Sequence, residues 1–128
     1  QIRNAWNALL VNYRKESIAI LPGLKSRYKT FLLSNTNEIH TKRFQKMFRN
    51  VFQQQSLDSC FHEAFYSQRI GCRKPNEEAF ELVLNKHELL AVETLFIDDN
   101  FDNIEAAKAL NIQTVHLLPG MTIESLAL

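Results

Sequence analysis

Four short apolar runs set between stretches of helical rhythm restrict this 128-residue chain to few architectures. Residues 30–33 read TFLL, 64–67 AFYS, 94–97 TLFI and 113–118 QTVHLL. Each has the length of a strand, and turn-forming or polar residues bound them, down to the Pro119-Gly120 stop. The intervening segments 39–51, 76–87 and 101–110 carry apolar residues at three- and four-residue spacing, the mark of an amphipathic helix. Their expected inward sets are Phe44, Met47, Phe48 and Val51; Phe80, Leu82, Val83 and Leu84; and Ile104, Ala106, Ala107 and Leu110. Strands alternating with helices predict an α/β fold: a Rossmann-like parallel sheet with helices on both faces and right-handed crossovers.

The N-terminal part adds two more helical patterns. Residues 2–14 place apolar side chains at 2, 5, 6, 9, 10 and 13. Residues 16–28 continue with Ile18, Ile20, Leu21 and Leu24, and Pro22-Gly23 predicts a break or kink within them. A short helix is expected at 56–62, and Asn76 with Glu77 and Glu78 reads as the capped start of the 76–87 helix. The basic residues Lys42, Arg43, Lys46 and Arg49 fall on the outer face of the 39–51 helix, the ordinary place for charge.

Composition excludes several function classes. At 45% hydrophobic and 23% charged residues, the chain has the balance of a globular domain with a real core. A formal net charge of +1 offers no electrostatic footprint for nucleic acid or an anionic membrane. No apolar run approaches the roughly 20 residues that span a bilayer. Cys60 and Cys72 lack a C-x-x-C spacing and, with four scattered histidines, make a poor zinc set. Free thiols in a reducing, cytoplasmic setting are the expectation.

The chemistry lies where the apolar runs stop. The run 94–97 drives into two adjacent carboxylates, Asp98 and Asp99. Neighbouring carboxylates repel, so the pair calls for a cation, and hard oxygen ligands suit Mg²⁺. The competing reading is a helix cap, which one Asp satisfies better than two. The run 30–33 ends on Ser34 and Asn35, in isolation an ordinary turn and cap. The short strand at 64–67 leads to a loop holding Arg73 and Lys74, in isolation an ordinary solvated cation. In a parallel sheet all three stations fall on the carboxyl edge and converge on one pocket. A hydroxyl, an ammonium and a metal-binding carboxylate pair together suit a phosphoryl group.

This ordered set resembles the haloacid dehalogenase-like superfamily of hydrolases, and most closely its phosphatases with a small helical cap. The resemblance runs from about residue 20 to 118. LLSNTN with Ser34, GCRKP with Lys74, and LFIDDNFDNIEAA with Asp98 and Asp99 are similar to that superfamily's second, third and fourth motifs. The resemblance implies that Ser34 binds the transferring phosphoryl group with Asn35 beside it, and that Lys74 stabilises nucleophile and phosphate charge. It implies Asp99 as direct Mg²⁺ ligand, with Asp98 assisting directly or through water. Many relatives carry an acid where this chain has Asn103, with Asp102 a weaker substitute. A small phosphorylated metabolite is the implied partner, hydrolysed through an aspartyl-phosphate.

One departure weighs on all of this. Members of the superfamily open with a strand ending in D-x-D, whose first Asp attacks, and residues 1–29 contain no such motif. The expectation is therefore a C-terminal portion: 1–20 a remnant of the helical cap and return segment, 21–128 the core domain, with the first strand and most of the cap absent. Such a portion alone is expected to be inactive, whereas the parent protein is an enzyme. Alternatives are a 2-haloacid dehalogenase-like hydrolase, which needs no metal, and a catalytically dead binding or regulatory module. A response-regulator receiver also gathers acids, a hydroxyl and a lysine, but its acids follow the first strand rather than coming last.

Overall fold

Phe31, Leu32 and Leu33 are apolar at consecutive positions, which leaves neither face for water, and they form a strand buried on both faces. A computed structural model describes residues 19–35, 58–126 and 128 of the chain. The helices expected at 2–14 and 39–51, and the cap remnant at 1–20 except for its last two residues, lie outside the described residues.

In order, the elements are α1 (Leu21–Arg27), β1 (Phe31–Ser34), β2 (Glu63–Tyr66), α2 (Ser67–Ile70), α3 (Glu77–Lys86), β3 (Leu95–Asp98), α4 (Phe101–Ala109) and β4 (Gln113–His116). β1 pairs with β2, and β3 with β4, both in parallel, so the expected α/β architecture holds. The single sheet does not close among the described residues, where the strands form two separate two-stranded ladders.

Side-chain alternation nonetheless joins the two ladders into one layer. Leu32 of β1, Tyr66 of β2, and Leu95 and Ile97 of β3 share one core with Leu21 of α1. Phe31 and Leu33, Phe65 and Phe96 share the opposite core with Phe80 and Val83 of α3 and Ile104 and Ala107 of α4. Phe80 and Phe96 meet edge to face at 5.1 Å, which fixes α3 against β3. Burying each such side chain stabilises the fold by about 1.5–3 kcal/mol.

Local chemistry moved several expected boundaries. The break expected near Pro22 falls at Ile20, and Pro22 then sits in the first turn of α1, where its missing N–H costs nothing. Of the expected 56–62 helix, residues 56 and 57 lie outside the described residues, and 58–62 hold a single 3-10 turn, Asp58–Cys60. Ser67 belongs to α2 rather than to β2. Gly71, at φ +76°, ends α2 in the left-handed region and redirects the chain toward Lys74. Leu82 is exposed rather than inward, because Ala79, Phe80, Val83 and Leu84 already make the buried stripe of α3.

Candidate functional site

The register brings the polar stations to one edge. Ser34 stands opposite Tyr66 at the end of β1–β2, and Asp98 opposite His116 at the end of β3–β4. Both are the last residues of their strands, so the polar side chains belong to the strand ends themselves.

Asp98 is wholly buried and organises the site. Its Oδ1 accepts the backbone N–H groups of Asp99 (2.6 Å) and Asn100 (3.2 Å). Its Oδ2 accepts the Lys74 ammonium at 3.0 Å and the Asn103 carboxamide at 3.1 Å. Each oxygen thus already receives two donors, the full capacity of a carboxylate. Burial works to raise the pKa of this group. The Lys74 charge and the hydrogen bonds from Lys74, Asp99 and Asn103 outweigh it and hold the carboxyl below its ordinary range.

Lys74, expected in isolation to be a solvated loop cation, is 1% exposed. Its ammonium pairs with Asp98 and lies 5.5 Å above the Phe96 ring. Burial pushes its pKa down to about 8 against the opposing pull of Asp98 and, more weakly, Asp99. The two shifts tell one consistent story: desolvation wins on the lysine, and the pairing wins on the acid.

Asp99 differs from its neighbour. Its side chain is exposed, and its carboxyl is raised by partial burial and by the adjacent Asp98. Its backbone carbonyl accepts from His116 Nε2 at 3.0 Å. The cap function falls to Asn100, whose side chain accepts the N–H of Asn103 at 3.0 Å and opens α4. The exposed carboxylate and the helix cap are therefore separate residues.

Ser34 is completely buried, and among the described residues its Oγ has no hydrogen-bond partner. An unpaired buried hydroxyl costs about 1–3 kcal/mol, a cost that a ligand oxygen accepting its proton would offset. Asn35, next in the chain, turns its carboxamide to the Lys74 main chain. Beside the lysine loop, Ser67, Gln68, Gly71, Cys72 and Arg73 line a cleft of about 250 Å³. Asn103 escaped the sequence reading as a participant, having been weighed only as the amide that replaces an acid. The N-x-x-N spacing of Asn100 and Asn103 was the available signal.

Residues 8–117 match the family of haloacid dehalogenase-like hydrolases. The chain belongs to that family. A D-ribitol-5-phosphate phosphatase of Bacteroides thetaiotaomicron is 26% identical over 115 residues, which is 89% of this chain and 55% of that protein. A sesquiterpene phosphatase of Aspergillus oryzae is 40% identical over 61 residues, covering 48% of this chain and 31% of its own length. Among solved structures, a haloacid dehalogenase family enzyme of Bacteroides thetaiotaomicron in complex with magnesium and inorganic phosphate superimposes with a TM-score of 0.80. It is 29% identical, over 89% of this chain and 57% of that one. This haloacid dehalogenase-like chain thus spans little more than half the length of that ribitol phosphatase and of that magnesium- and phosphate-bound enzyme. Its parallel strands and flanking helices match their fold.

Proposed function

We propose that this haloacid dehalogenase-like chain forms the phosphate- and metal-binding part of a Mg²⁺-dependent phosphatase acting on a small phosphomonoester. The observation that carries the reading is the fully buried Ser34 hydroxyl, unpaired among the described residues, at the same sheet edge as the buried Lys74–Asp98 pair. The phosphatase relatives and the magnesium- and phosphate-bound neighbour support it.

The donor set fits Mg²⁺ through Asp99. Asp98 has its oxygens filled by four N–H donors, whereas the Asp99 side chain is exposed, with its carboxyl raised by partial burial and the adjacent Asp98. Among the described residues no group of three or more His, Cys, Asp or Glu could hold a metal ion. That suits an ion that typically takes one or two protein carboxylates and completes its shell with water and phosphate oxygens. Asp98 then acts from behind, holding Lys74 and the Asp99–Asn100 backbone. When bound, Mg²⁺ supplies charge neutralisation and orientation of the phosphoryl group.

The chain's own residues have distinct tasks in this reading. Ser34 donates its O–H to a phosphoryl oxygen and so gains its missing partner. Lys74 places a positive charge where negative charge spreads in the transition state, inside a site that excludes water. The nucleophile is an Asp on a strand outside these 128 residues. It attacks phosphorus to form an aspartyl-phosphate, and the leaving alcohol takes a proton from a second acid of that strand.

The test is phosphate release from p-nitrophenyl phosphate and a panel of sugar and terpenoid phosphates, with and without Mg²⁺. A protein extended upstream through a D-x-D strand should turn over, and residues 1–128 alone should not. Turnover by residues 1–128 alone removes the externally supplied nucleophile. Phosphate binding without turnover by the extended protein favours a binding module, and halide release without Mg²⁺ favours a dehalogenase.

A further inference from the structure

Asn35 makes a contact that the phosphate-site reading does not use. Its Oδ1 accepts the backbone N–H of Lys74 at 3.0 Å, and its Nδ2 donates to the backbone C=O of the same residue at 2.9 Å. Donor and acceptor of one main-chain unit are held by the two ends of one carboxamide, 39 residues away in the sequence. We propose that Asn35 is a positioning residue that clamps the Lys74 backbone to the end of β1, rather than a group that contacts substrate. The inference rests on the phosphatase reading for its catalytic consequence and on this geometry for the clamp itself.

The side-chain chemistry explains why this position takes an amide. Only a carboxamide offers an acceptor and a donor side by side at neutral pH. A hydroxyl is too short to reach both groups, and an ionised carboxylate would set an anion against the Lys74 carbonyl. The need for a clamp follows from lysine itself, a point charge on a flexible four-carbon stem. A buried lysine anchored only through its ammonium leaves its main chain to the surrounding loop. Here the main chain is tied to Asn35, and the ammonium is tied to Asp98, which Asn103 in turn holds. Because Asn35 follows Ser34 directly, the same clamp sets the distance between hydroxyl and ammonium. Misplacing a catalytic group by about 1 Å can cost on the order of 100-fold in rate.

The experiment uses the longer, active protein. Asn35→Ala should lower kcat on the order of 100-fold while KM moves less than about threefold. The amide of Lys74 should lose its protection from hydrogen exchange. A rise in KM with kcat unchanged would make Asn35 a substrate contact and overturn the clamp, as would an unchanged kcat. Asn35→Asp supplies a readout that a merely structural role would not move. Its carboxyl regains the donor only when protonated, so its kcat relative to wild type should climb as pH falls from about 8 to about 5. A flat ratio refutes the proposal, and this variant carries the test if Asn35→Ala does not fold. Should the wild-type protein hydrolyse no phosphomonoester, the phosphatase reading fails. Exchange at the Lys74 amide then judges the clamp, with protection retained in Asn35→Ala counting against it.

Discussion

Replacing Lys74 by Met tests the energetic centre of the site. Methionine keeps most of the apolar stem but removes the ammonium that lies 3.0 Å from Asp98 Oδ2 and 5.5 Å from the Phe96 ring centre. Breaking a buried pair by removing one partner typically costs about 3–5 kcal/mol. Asp98 would keep three N–H donors, from Asp99, Asn100 and Asn103, so the lower end, about 3 kcal/mol, applies to Lys74→Met. Asp98→Asn leaves an ammonium in an apolar site with no buried anion, and it should cost about 3–5 kcal/mol. Against a total of roughly 5–15 kcal/mol for a domain, either change is large. The double variant should cost no more than the larger single one, an interaction energy of about 3 kcal/mol. Urea unfolding followed by far-ultraviolet circular dichroism, with m unchanged, measures all three. Costs that add to within about 0.5 kcal/mol would mean that the two groups do not act as a buried pair.

The same variant carries a pH signature. Lys74 is lowered in the folded chain from 10.5 to about 8. Between those values the unfolded chain holds a proton that the folded chain has released, so stability rises with pH across that window. The neutral Lys74 amine still donates to Asp98, which methionine cannot do, so the rise belongs to titration alone and Lys74→Met should abolish it.

Three further outcomes are expected. In the longer protein, Asp99→Asn should weaken Mg²⁺ binding measured by calorimetry together with activity, and unaltered Mg²⁺ affinity would remove Asp99 from the metal site. His62 Nδ1 accepts the Thr30 N–H at 3.0 Å, and partial burial with the nearby charges of Lys25, Lys29 and His87 lowers its pKa. Its contribution is complete above the ordinary 6.5 and is lost as pH falls from there toward the lowered folded value; His62→Asn, which keeps an acceptor, should flatten that loss in stability-versus-pH curves. Asn100→Ala should cost about 1 kcal/mol through the lost cap of α4, and a melting temperature equal to wild type would contradict the capping bond.

Much of the fold was legible because its signals are local. Phe31–Leu33 and Leu95–Ile97 are continuous apolar runs, and such runs have nowhere to go but the inside of a parallel sheet. The break near Pro22 was legible but its exact place was not, because proline both interrupts a helix interior and suits a first turn. Arrival of Ser34, Lys74, Asp98 and Asp99 at one edge was also legible, since every parallel strand delivers its carboxyl end to the same side.

What composition and pattern could not separate was the work of the two adjacent acids. In the sequence, Asp98 and Asp99 are a repelling pair awaiting a cation. In the folded chain, Asp98 is filled by four N–H donors while Asp99 keeps its side chain toward solvent. That division depends on where Lys74 and Asn103 lie in space. The sequence by itself determined the element order, the buried strands and the kinds of polar group at their ends, because those follow from periodicity and side-chain type. Tertiary structure alone decided that Lys74 is buried against Asp98, that Asn35 holds its main chain, and that Ser34 is left without a partner among the described residues. Those outcomes turn on distances of about 3 Å between residues tens of positions apart, and a hydrogen bond of that reach is set by packing rather than by any local preference.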